Sequence, residues 1–150
     1  MNGLPLHPLL VHAVIALVPI TSFAVILHAL WPMARRRLGV LTPLAGLATV
    51  VAVPITVLAG RNLLSKVGPI PAAERHAALG EMMLPFAIAL FLIAVLEWIW
   101  FGWRDRMKVS YTARTVVTAA VGVVAIGIAV GSLILLVLIG DAGARAVWGA

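Results

Sequence analysis

Cysteine is absent from the 150 residues. Its absence excludes disulfides, thiolate metal sites, iron–sulfur clusters and covalently attached c-type haem, while leaving the redox compartment open. Acidic residues are scarce as well. The five Asp and Glu are scattered along the chain and do not resemble the carboxylate array of a proton pump or an ion channel. There is no hydrolase triad and no phosphate-binding glycine loop, so catalysis by the isolated chain is not expected. Charged residues make up 11% and hydrophobic residues 63%, with a mean hydropathy of +1.15. A water-soluble fold of that composition would need a core larger than this chain can surround. The expected class is an all-α integral membrane protein.

Four apolar stretches of bilayer-crossing length are present, at about residues 8–30, 41–60, 80–101 and 115–139. Each meets the roughly 17–25 residues that a hydrocarbon layer requires. Pro8 suits a first helical turn, and Trp31-Pro32 closes the first span. Thr42-Pro43 opens the second and Gly60 reads as its stop. The third is densest from Pro85 to Phe101, with a helical lead-in from Ala72 to Leu84. Gly140 reads as the end of the fourth. The expected architecture is a single transmembrane domain over residues 1–150, a four-helix bundle with both termini on one side. The start, Met1 to Pro5, has no basic segment and no evident cleavage site follows, so the first span reads as a retained helix. No strong internal repeat, linker or low-complexity tract stands out.

The net charge of +6 reflects membrane orientation and anionic lipid here, and nucleic acid is not an expected partner. Seven of the eleven Lys and Arg lie after the first and third spans: Arg35, Arg36, Arg37, Arg104, Arg106, Lys108 and Arg114. That excess marks those loops as cytoplasmic and places both termini outside. Trp31, Trp98, Trp100, Trp103 and Tyr111 crowd the same side as an aromatic belt. Small residues at Ala45, Thr49, Ala52 and Thr56, and at Ala119, Gly122, Ala125, Ala129 and Ser132, suit close helix packing, as does the Gly127–Gly131 pair. Pro19 and Pro54 lie inside the first and second spans, where a kink opens space or is simply tolerated.

The threading brings three histidines to the outer face: His7 and His12 at the mouth of the first helix, His76 before the third. Neutral imidazole suits haem iron, copper or zinc, and b-type haem needs axial side chains without cysteine attachment. His12 and His76 are the first candidate axial pair, with His7 as substitute. Gly80, one turn after His76, leaves room for a flat macrocycle, and Arg75 or Arg61 suits its propionates. A zinc or copper site would instead draw on His7, His12 and His76, with Asp141 or Glu81. His7 and His12 are five apart and so not on one helix face. The competing reading makes these histidines interfacial polar residues with no ligand. His28 lies at the depth of Glu97 near the inner end, where a His28–Glu97 contact would satisfy a buried carboxylate, or Glu97 would snorkel to the interface. One inner histidine argues against a two-haem transmembrane wire.

The opening His7-Pro8-Leu9-Leu10-Val11-His12-Ala13-Val14-Ile15-Ala16-Leu17, together with His76 and the glycine-rich Gly140–Gly149, resembles a bacterial membrane family, the domain of unknown function twenty-two thirty-one. The resemblance spans nearly the whole chain, and its opening motif is the specific part. The chain departs from the pattern at Ala13-Val14, where members carry proline, and at Asp141, where some carry histidine. The resemblance implies four spans, a bacterial inner-membrane location and association with respiratory or cytochrome proteins, without supplying an activity. The expected function is a small membrane redox protein that holds b-type haem near the outer face and exchanges electrons with quinol or a periplasmic partner. The alternatives are an accessory subunit of a larger respiratory or photosynthetic complex, with no cofactor, and a zinc- or copper-binding membrane protein. A homo-oligomer is compatible with each.

Overall fold

The computed structural model describes residues 6–68 and 70–148. The Met1–Pro5 start, and Gly149 near the end of the glycine-rich segment, lie outside them. The order is α1 (Leu6–Leu30), α2 (Pro32–Leu38), α3 (Leu41–Val67), α4 (Pro71–Trp103) and α5 (Tyr111–Trp148). Four of these are long and apolar enough to cross a membrane. They run alternately up and down and pack in the cyclic order α1, α3, α4, α5, with α1 and α4 also meeting across the centre. One end of the bundle therefore carries the start of α1, the α3–α4 turn and the end of α5. We call it the histidine end and the opposite one the arginine end.

Two expectations about helix ends do not hold. Gly60 and Gly140 lie inside continuous helices, not at stops. A glycine within a helix costs only about 1 kcal/mol relative to alanine, which neighbouring packing readily outweighs. The true stops are Gly39 after α2 and Gly68 after α3, at φ 43° and 86°, where a side chain would strain the left-handed turn. The arginine segment after the first span is also not a loop. Pro32 starts the seven-residue α2, and Arg35 on it donates Nε to the His28 carbonyl at 2.8 Å and Nη2 to the Ala29 carbonyl at 2.7 Å. Those are among the last carbonyls of α1, which lack helical partners. Arg35 thereby caps the helix electrostatically and by hydrogen bonding.

The core is a stack of small and branched side chains. Its two apolar clusters centre on Val18, Val53, Met83, Ala87 and Leu135 toward the histidine end and on Val25, Leu90, Ile93, Ala94, Ala125 and Ala129 toward the other. Of the small residues expected at contacts, Thr49, Thr56, Ala125, Ala129 and Ser132 are buried. Gly127 is exposed, and Gly131 instead receives the Phe86 ring. Thr49 donates its hydroxyl to the Ala45 carbonyl at 2.9 Å, so in its 2.8 Å contact with Thr21 it is the acceptor. This is a side-chain bond between α1 and α3 of the kind that helps hold helices together where no hydrophobic effect separates them from lipid.

The buried positions reveal an order that the sequence hides. On α1 they include Val18, Thr21, Val25 and His28; on α4, each 69 residues later, they include Ala87, Leu90, Ala94 and Glu97, while Ser22, Met83 and Ile93 are buried without a buried counterpart. On α3, Thr42, Gly46 and Thr49 are buried; on α5, each 83 residues later, so are Ala125, Ala129 and Ser132. Ser132 even repeats the backward bond of Thr49, donating to the Ile128 carbonyl at 2.8 Å. The α1–α3 and α4–α5 hairpins are thus equivalent halves about an axis running along the bundle. Parallel repeats of this kind recur among membrane proteins.

Candidate functional site

The histidine end is assembled twice over from equivalent parts. His7, near the start of α1, bonds through Nδ1 to the Thr56 carbonyl of α3 at 3.2 Å. His76, in the second turn of α4, bonds through Nδ1 to the Ile139 carbonyl of α5 at 3.0 Å. Each ring packs on a glycine four residues beyond its acceptor. A Cβ on Gly60 would stand 2.9 Å from His7 Cε1, and one on Gly143 would stand 3.1 Å from His76 Cε1. In each half, the missing side chain lets an imidazole reach helix backbone. The two rings then meet across the axis, centroids 6.4 Å apart and planes at 77°.

A carbonyl oxygen only accepts, so both Nδ1 atoms carry hydrogen. In the neutral rings the Nε2 lone pairs are then left to accept or to ligate. This is the arrangement that orients metal-bound imidazoles, where the distal ring nitrogen donates to a carbonyl or carboxylate. Burial pulls the His7 imidazole below its ordinary value; the Thr56 bond opposes the shift, and His76 adds to it. The neutral, ligating form is favoured.

The remaining sequence-derived candidates fall differently. His12 lies on an exposed face of α1, as its five-residue spacing from the half-buried His7 requires. The imidazoles that the fold brings together are those of His7 and His76. Gly80 has nothing within 4 Å of where a Cβ would stand, so space remains along α4 one turn past His76. Arg61 reaches Glu81 at 2.8 Å, and Arg145 reaches Asp141 at 3.0 Å. Both carboxylates are exposed and occupied by arginine, as is Arg75 exposed at the rim. Among the described residues, no group of three or more His, Asp and Glu converges as a metal site. Sequence reasoning missed Gly60, Gly143 and the carbonyls of Thr56 and Ile139. The signal lay in the matched spacings, 69 for the histidines and 83 for the glycines, and only the burial pattern gives those numbers meaning.

The inner expectations fare less well. His28 does not bond Glu97. Its Nδ1 pairs with Thr42 Oγ1 at 3.1 Å, because the adjacent α3 presents a hydroxyl at that depth. Nor does Glu97 snorkel, since it is fully buried. Trp31, Trp98, Trp103 and Tyr111 are exposed around the arginine end, as the belt reading expects, and Trp100 donates to Thr118 at 3.1 Å.

Four long apolar helices, a core of small residues and paired polar groups at both rims define a helical-bundle membrane protein. The chain belongs to the family described as predicted membrane protein, DUF2231, whose family model matches residues 3–150. No curated protein matches the chain, and no solved structure does.

Proposed function

We propose that the protein is a small membrane redox protein that carries a metal centre between His7 and His76, with b-type haem iron as the first form of that centre. The carrying observation is the pair itself: two imidazoles from equivalent helices, each with Nδ1 engaged by a carbonyl, 6.4 Å apart between centroids. At that separation both imidazoles would be available to one bound metal ion, which would supply the redox chemistry. His7 and His76 would hold the group through Nε2, one imidazole from each half of the bundle. The open space at Gly80 and the exposed Arg75 at the rim favour a planar anionic macrocycle entering from this end. The arginine-rich end lies in the cytoplasm on this reading. The site then faces the extracytoplasmic side of a bacterial inner membrane, within reach of quinol or a periplasmic partner.

The ligand count supports a second reading. Two imidazoles without a third ligand suit a low-coordinate cuprous ion better than tetrahedral zinc, which takes three or four protein ligands. One preparation separates the readings. The protein is purified in mild detergent from cells supplied with haem precursor and copper, and its oxidised and reduced absorption spectra are taken with metal analysis of the same sample. A Soret band lost in His7→Ala and His76→Ala, and retained in His12→Ala, supports haem. Stoichiometric copper with the same mutational pattern and no Soret band supports the cuprous site. Neither band nor metal would overturn both and leave the accessory-subunit role.

A further inference from the structure

The arginine end holds a second ionisable couple at equivalent positions of the two halves. Glu97 is 0% exposed, and among the described residues neither of its carboxyl oxygens has a hydrogen-bond partner. Its counterpart His28 is also buried and is engaged with Thr42. From α2, Arg35 lies with its guanidinium 3.3 Å from the centroid of Phe101, one turn past Glu97, and its Nε and Nη2 are committed to the end of α1. Among the described residues, Arg35 makes no ion pair with Glu97. Arg104, just past α4, stands 5.1 Å from the same ring. On α3 the only titratable residues, Arg61 and Lys66, lie toward the opposite end, and on α5 Arg114 is paired with Asp105 at 3.1 Å.

A carboxylate ionised in such a setting has neither water nor a donor to replace its hydration, and that costs far more than burying the neutral acid. A buried group left in that condition calls for an explanation. Arg35, against Phe101 one turn further along α4, is the positive charge beside which an ionised Glu97 would stand. Other buried polar groups along the axis are matched, Thr21 to Thr49, His28 to Thr42 and Ser132 to Ile128, with the uncharged hydroxyl of Ser22 the exception.

We propose that Glu97, flanked by His28 and Arg35 at the arginine end of the bundle, is a proton-binding site, its carboxyl taking up and releasing one proton on that side. The step is Glu97 carboxylic acid to carboxylate plus a proton delivered to water past Arg35, with no electron transferred. A single carboxyl does not make a relay across the membrane. It makes a reversible store at one rim, separate from the imidazole pair at the other.

The test is infrared spectroscopy of the whole protein in lipid vesicles, taken through a pH titration. The expected result is a protonated carboxylic-acid carbonyl band at neutral pH that disappears reversibly as pH rises and is absent from Glu97→Gln. A second sample guards against misfolding of that variant. In the double variant Glu74→Gln/Glu81→Gln, Glu97 is the only remaining glutamate, so an isotope-shifted carbonyl band from labelled glutamate belongs to it alone. A titrating band in that sample supports the proposal. No carboxylic-acid band at any pH, or a band unchanged to the most alkaline pH at which the protein stays folded, would overturn it.

Discussion

The two ends of the bundle solve the same problem in opposite ways. Each brings one ionisable side chain from α1 and its equivalent from α4 toward the central axis. At the histidine end both side chains are half-buried, each is bonded to a carbonyl, and each sits on a glycine. At the arginine end both are fully buried, and only His28 is bonded; Glu97 is left with an arginine nearby but no donor. Satisfied rings with free lone pairs suit a ligand that stays. An unsatisfied carboxyl suits one that comes and goes, because neither of its protonation states is fully accommodated.

The comparison is broken most severely at the glycines. Gly46→Ala, in the half of α3 nearer the arginine end, places a Cβ 2.9 Å from the backbone Cα of Phe91. Helices α3 and α4 must then move apart, and a loss of about 1–3 kcal/mol is expected, read as a lower melting temperature in detergent. Gly60→Ala meets only the tip of the His7 ring, which can swing away. Its expected result is a small change in melting temperature together with, on the proposed function, loss of the metal or haem that His7 would hold. A large destabilisation by Gly60→Ala would show that the ring is held more rigidly than its contacts suggest.

Replacing the unpartnered carboxyl tests the other side. Glu97→Leu removes a buried polar group without a partner and is expected to stabilise by about 1–2 kcal/mol, seen in the same melting assay. Thr21→Val, which deletes a satisfied hydroxyl, is expected to lose about 0.6–1.7 kcal/mol. If both changes act in the same direction, the contrast between matched and unmatched polar groups fails.

The pH response sharpens the contrast further. The folded state holds His7 below its ordinary value, so it binds fewer protons there than the unfolded chain. The stability contributed by the neutral ring is fully present above about pH 6.5 and is lost as pH falls through the depressed value. Melting temperature should therefore decline on acidification across that window, and His7→Gln should flatten the decline. The smallest effect is expected from Arg145→Ala. Its i,i+4 partner Asp141 is exposed, and such pairs contribute less than about 0.5 kcal/mol. An unchanged melting curve checks it.

Much of the architecture could be read from residue order. The apolar runs announce four crossings because a backbone in lipid must satisfy its own hydrogen bonds, and the alternation of crossings carries His7 and His76 to one rim. Helix ends were less legible. Gly60 and Gly68 look alike in sequence, yet one lies under an imidazole and the other turns the chain at positive φ. The repeat escaped for a related reason. Val25 matches Ala94, Thr21 matches Leu90 and His28 matches Glu97, so the halves share burial but little chemistry, and sequence comparison sees only chemistry.

Composition and the spacing of apolar runs by themselves determined the class, the number of crossings and which ionisable groups share a rim, because transfer into lipid depends on local stretches of chain. Only the tertiary structure decided that His76 faces His7 rather than His12, that the glycines of α3 and α5 seat those rings, and that Glu97 lies buried without a donor. Those outcomes depend on how helices rotate and approach one another. That is set by the summed packing of all four, which no single stretch encodes.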